Sequence, residues 1–172
     1  MNNTTKNTKR LGARSLLKKI FSDAEAHLEE LENGRMGFSY GYGDGKSENF
    51  IVEADDEHVT IRIADYCWHE VSRWDIEEVT RIQSLVNELN GIARCKVVYH
   101  FADDDKMYLT TLLTCPLYQE IPDSFSYLTS QLDDMIQTHE YILNQFGKQD
   151  DELQAEETDG YETSSGKKGG KV

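Results

Sequence analysis

Between Asp75 and Phe146 the apolar residues change period twice, from helical to alternating and back to helical, with almost no spare residues between segments. Such a switch spells a packing unit of helix, β-hairpin and helix. Asp75-x-x-Glu78 resembles a capping box, in which the Asp side chain accepts from a first-turn N–H, so a helix is predicted to start there. Ile76, Val79, Ile82, Leu85, Val86 and Leu89 then step by three and four, which leaves Glu77, Arg81 and Glu88 to face water, and Asn90-Gly91 supplies a left-handed stop. From Ala93 to Phe101 the period is two, with Ala93, Cys95, Val97, Tyr99 and Phe101 on the core side. Asp103, Asp104 and Asp105 form a turn, and Met107, Leu109, Thr111, Leu113 and Cys115 form the return strand. Pro116 and Pro122 bracket a loop. Phe125, Leu128, Leu132, Met135, Ile136, Ile142, Leu143 and Phe146 mark a helix of about six turns, closed by Gly147.

Upstream, Leu16, Leu17, Ile20, Phe21, Ala24, Leu28 and Leu31 form a helical stripe that ends at Asn33-Gly34. Three strands are predicted next: Phe38 to Tyr42, Asn49 to Ala54, and His58 to Tyr66 with Val59, Ile61 and Ile63 on one side. Gly41, Gly43 and Gly45, and then Asp55-Asp56-Glu57, supply the turns. The element order is α-β-β-β-α-β-β-α, and its short connections favour a two-layer α+β domain, one antiparallel sheet covered by helices. The chain of 172 residues reads as a disordered basic arm over 1–14, a single domain over 15–146 and a disordered acidic and polar tail over 147–172. No stretch is apolar for long enough to suggest a membrane span.

The net charge of −14 understates how acidic the body is, because residues 20–146 hold 8 bases against 25 acids, a net of −17. That excess repels phosphate backbones and argues against a nucleic-acid partner. It is compatible with plain solubility or with a basic protein partner steered to an acidic surface. The acid-poor start, Met1 to Phe21, has the composition of a transit peptide but no apolar stretch of the secretory kind, and reads as a flexible arm leading into a helix. Cys67, Cys95 and Cys115 are odd in number and set in apolar, strand-like surroundings, as in a reducing cytoplasm.

Candidate chemistry is sparse. Gly43-Asp44-Gly45-Lys46-Ser47 ends like a phosphate loop, but Tyr40 stands where the first glycine is needed and a strand follows, so it reads as a turn. Cys67 and His69, with Cys95, His100 and Cys115, have no zinc-site spacing, and Cys95 and His100 point to opposite sides of a strand. Asp103 to Asp105 lack the glycine and terminal glutamate of a calcium loop. No catalytic residue, metal ligand or cofactor site is predicted. The aromatic concentration at Tyr66, Trp68, His69 and Trp74 is the best candidate partner surface, with core packing as its ordinary role, and Tyr127, His139 and Tyr141 on the last helix are a second. Helix against helix in a symmetric homodimer is the simplest use of that second surface.

The element order, together with Asn87-Glu88-Leu89-Asn90 closing the central helix ahead of Ala93-Arg94-Cys95-Lys96, resembles the YbjN-type bacterial sensory transduction regulators over roughly Ser15 to Phe146. That family is similar in fold to type III secretion chaperones. The resemblance implies a small, acidic, dimeric and non-catalytic protein that binds extended segments of client proteins, and it carries over no catalytic residue. The charged ends and the Tyr- and Gly-rich first hairpin depart from it. The expectation is a non-enzymatic, cytoplasmic protein-binding module, chaperone-like or regulatory, acting through its sheet and helix surfaces. The alternatives are a small-molecule or metal-binding protein or enzyme using the Cys, His and Trp residues above, and a purely structural subunit.

Overall fold

The computed structural model describes the backbone of residues 10–162 and the side chains of residues 10–145. Among these residues six antiparallel strands form one sheet in the order β1-β2-β3-β4-β6-β5: β1 Glu29–Glu30, β2 Met36–Tyr42, β3 Lys46–Asp55, β4 Thr60–Ser72, β5 Lys96–Phe101 and β6 Lys106–Pro116. Among the described residues three α-helices accompany it, α1 Ala13–Asp23, α2 Ile76–Ile92 and α3 Ser124–Glu162. The protein is therefore α+β, with the predicted helix, strand and helix order and one added short strand, β1. Gly43 and Gly45 adopt positive φ in the β2–β3 turn, which a side chain would resist.

Register decides which face is core. Met36 lies opposite Val52, Phe38 opposite Phe50, Val52 opposite Ile63, and Ile63 opposite Leu113, and all of them are buried. The helices of the body pack on this face. Phe21 of α1 meets Phe38 at 4.9 Å between ring centroids, and Phe38 stacks on Phe50 at 5.7 Å. Tyr40 donates to Asp133 of α3 at 2.8 Å, and Arg94, just after α2, reaches Gln131 and Asp134 of the same helix at 2.7 and 3.0 Å. The other face carries cross-strand polar pairs: Ser39 with Asn49, Glu53 with Arg62, Glu70 with Lys106, and the stacked rings of His100 and Tyr108. Its acids are matched by bases, so the acidic excess lies elsewhere, in the segment from Glu25 to Glu32, in the turns at Asp55 to Glu57 and Asp103 to Asp105, and on α2 and α3.

Asp75 caps α2 through its carboxylate, which accepts from the Glu78 N–H at 3.1 Å. Glu78 does not return the bond and pairs with Arg81 instead. Replacing Asp75 with Ala should lower the unfolding free energy by about 1 kcal/mol in urea titration, with Asp75→Asn close to neutral.

Several boundaries differ from the sequence reading. The first helix stops at Asp23 rather than running to Leu31: Glu25 turns left-handed at φ 53°, and Glu29–Glu30 leaves to pair with β2. Sheet pairing at the edge overrides the apolar spacing of Leu28 and Leu31. Val59 sits in the β3–β4 turn at φ 53°, not in a strand. Asn90 and Gly91 remain inside α2, which ends at Ile92. The last helix runs through Gly147 to Glu162, so the tail predicted over 147–172 is helical as far as 162. The Lys, Gln, Glu and Ala residues after Gly147 are good helix formers, and each of the two glycines in the helix, Gly147 and Gly160, costs only about 1 kcal/mol. Of the predicted arm and tail, residues 1–9 and 163–172 lie outside the described residues. The chain divides into a body ending at Met135 and a second unit starting at Ile136, whose described part is helical.

Candidate functional site

Two places in the body combine groups that packing alone does not call for. The first is in β4. Ile61, Ile63 and Asp65 alternate onto the core face, and Asp65 lies opposite Thr111 of β6, only 6% exposed. Glu48 of β3 shares that face, its carboxylate within 4.8 Å of Asp65's. Tyr42 donates to Glu48 at 2.8 Å. Burial, the charge of Glu48 and a hydrogen bond to it push the Asp65 carboxyl up to about 7, so near neutrality Asp65 can hold a proton and donate it to Glu48.

Immediately after Asp65 the strand bulges. Register jumps from Asp65 opposite Thr111 to His69 opposite Leu109, and Cys67 takes a positive φ of 56°. Thr110 Oγ1 accepts from the Cys67 N–H at 3.2 Å, and Thr111 Oγ1 accepts from the Trp68 indole at 3.0 Å. The bulge thus turns Trp68 toward the core face and sets His69 beside it, with ring centroids 5.8 Å apart. Burial lowers the pKa of His69.

Asp65 makes stability pH-dependent, with a definite sign. Its folded pKa, about 7, lies above its unfolded value near 3.8, so the folded state holds the extra proton between those limits. Its contribution therefore falls as pH rises from about 4 to 7. Urea titrations at pH 5.5 and 7.5 should show the loss, and Asp65→Asn, whose amide can still donate to Glu48, should flatten it.

The second place is the corner where β4, β5, β6 and α2 meet. Trp74, between β4 and α2, is 70% exposed. The Arg73 guanidinium lies 5.4 Å from the Trp74 ring centroid and 5.9 Å from that of Phe101 at the end of β5. Arg73 also donates its backbone N–H to Asp105 O at 2.9 Å and pairs with the Asp105 carboxylate at 3.5 Å. Ile76 and Phe101 are exposed as well, and Tyr99 meets Phe101 edge-on at 6.3 Å. The exposed acids Asp75, Glu77, Asp103, Asp104 and Asp105 flank this apolar corner.

The predicted surface residues divide accordingly. Tyr66 and Trp74 are exposed, whereas Trp68 and His69 are half-buried and turned inward by the bulge. Tyr127 is half-buried with its hydroxyl hydrogen-bonded to Cys115, and burial and that contact push its pKa up to about 12. His139, 2% exposed, belongs to no outer surface, because it follows Met135 by one helical turn and shares the face of Ile142. Tyr141 is exposed. The last helix therefore does not present Tyr127, His139 and Tyr141 together. The Cys and His residues do not converge either: Cys67 is exposed, Cys95 and Cys115 are buried, and His100 stacks on Tyr108 on the open sheet face. Asp65 carried a legible signal, an acid at a core position of an alternating strand. Arg73 and Phe101 carried none beyond their residue type.

No family model, curated protein or solved structure matches the chain. Among the described residues no helix is long and apolar enough to cross a membrane.

Proposed function

We propose that this chain is a non-enzymatic protein-binding module, chaperone-like or regulatory and cytoplasmic, that engages a protein partner at the corner formed by Trp74, Arg73 and Phe101. The observation that carries this reading is the exposure of Trp74 and, to a lesser degree, of Phe101, with the Arg73 guanidinium within 6 Å of both rings. Trp and Arg dominate binding energy when a partner desolvates them, and an exposed tryptophan on this scale contributes little to the fold. The flanking acids favour a partner surface that is apolar and basic. The resemblance to YbjN-type regulators, a family similar in fold to the dimeric, client-binding type III secretion chaperones, supports the same reading. Crosslinking mass spectrometry of the purified chain returned to its native lysate tests it: crosslinks from one partner should cluster around residues 73–77 and 101–105. A chain that captures nothing there, while staying folded, is not such a module.

One observation favours a second reading, a small-molecule or metal-binding protein. The Asp65 and Glu48 pair lies beside a strand bulge, an arrangement that recurs at functional sites. A thermal-shift screen of divalent cations and small ligands discriminates, since a saturable shift abolished by Asp65→Asn would support this reading over the first.

A further inference from the structure

The sheet has two edges, and they are built differently. β1 is two residues long and both are glutamates, a length and charge that discourage pairing with another strand. β5 is six residues, Lys96-Val97-Val98-Tyr99-His100-Phe101, with neither proline nor acid. An edge of that kind invites a second copy of the chain to add its own β5 and extend the sheet.

Alternation fixes which β5 groups point away from β6. The Val97 N–H donates to Asn90 Oδ1 at 2.8 Å and the Val97 C=O accepts from Asn90 Nδ2 at 2.7 Å, so the outward groups are those of Val97, Tyr99 and Phe101. The Asn90 amide thus makes the two bonds that a neighbouring strand would make. Only one orientation of the amide satisfies both. Asn90 is itself anchored, because Lys96 Nζ donates to the Asn90 C=O at 2.6 Å and to the Ala93 C=O at 3.3 Å. A left-handed stop at this position would have needed no side chain at all, whereas a helical Asn90 has its amide available for the strand.

We infer that Asn90 guards the β5 edge: its side chain occupies the pairing position at Val97 and prevents two copies of the chain from joining β5 to β5. An antiparallel pair of β5 strands needs Val97 as one of its three outward residues. With that position filled, only Tyr99 and Phe101 remain, too short a run for a stable sheet extension. The guard is independent of whether the neighbouring corner takes a protein partner.

The test is the mass of the full-length chain by sedimentation velocity across a concentration series, with hydrogen exchange read over β5. Asn90→Ala should associate at concentrations at least tenfold lower than the unaltered protein, with slowed exchange at Tyr99 and Phe101 as it does so. Adding Val98→Lys, which puts a second charge on the open face of β5, should reverse that association without restoring Asn90. If Asn90→Ala proves too unstable to fold, Asn90→Asp, which keeps an acceptor for the Val97 N–H but offers no donor to its C=O, should show a smaller shift of the same sign. Identical mass and exchange in folded variant and unaltered protein would overturn the inference, as would association that persists with Val98→Lys.

Discussion

Phe50→Ala should destabilise the body by about 3–5 kcal/mol, a large share of the total for a domain of this size. Phe50 is 1% exposed on β3, lies opposite Phe38, and through Phe38 links the sheet to Phe21 of α1. Removing the ring deletes its transfer free energy and leaves a cavity between strands whose register holds them in place, so relaxation is limited. Equilibrium urea unfolding followed by circular dichroism measures the effect. Phe50→Leu, which keeps most of the volume, should cost well under half as much. A loss below about 1 kcal/mol for the alanine variant would mean that α1 does not close over β2 and β3 as described.

Trp74→Ala should weaken the partner complex by about 30-fold or more, equivalent to about 2 kcal/mol, while unfolding stays within about 0.5 kcal/mol of the unaltered protein. A tryptophan 70% exposed has little packing to lose in the isolated chain, and its apolar area becomes valuable only when a partner covers it. Isothermal titration with the partner captured by crosslinking gives the first readout, and thermal unfolding gives the second. Arg73→Lys should weaken binding by a smaller factor, since an ammonium keeps the charge but not the planar contact with the two rings.

The hairpin of β5 and β6 and the start of α2 were legible because each rests on a local rule. Alternation placed Val97, Leu109, Thr111, Leu113 and Cys115 on the buried side, and Asp75 announced its helix. The misplaced elements are those where a neighbouring strand decides. Leu28 and Leu31 have helical spacing, but the edge of β2 draws Glu29–Glu30 into a strand. Asn90-Gly91 has the composition of a stop, yet the strand beyond it uses the Asn side chain instead. The candidate site was legible only in outline. The sequence marked Tyr66, Trp68, His69 and Trp74 as one aromatic cluster, and nothing in it signals the bulge that turns Trp68 and His69 inward while Tyr66 and Trp74 stay outside. Arg73 and Phe101 come together only where β4 and β5 meet the same turn in the folded sheet, and the bonds of Asn90 to Val97 depend on how β5 leaves α2.

The proposed partner site is the corner at Trp74 and Phe101. Hydrogen exchange of the full-length chain, with and without the partner captured from its native lysate, tests this most directly. Protection on binding should concentrate in peptides covering residues 72–78 and 99–105 and be lost in Trp74→Ala. Protection confined to α1 or to the open face of β2 and β3, with the corner exchanging as fast as in the isolated chain, would contradict it.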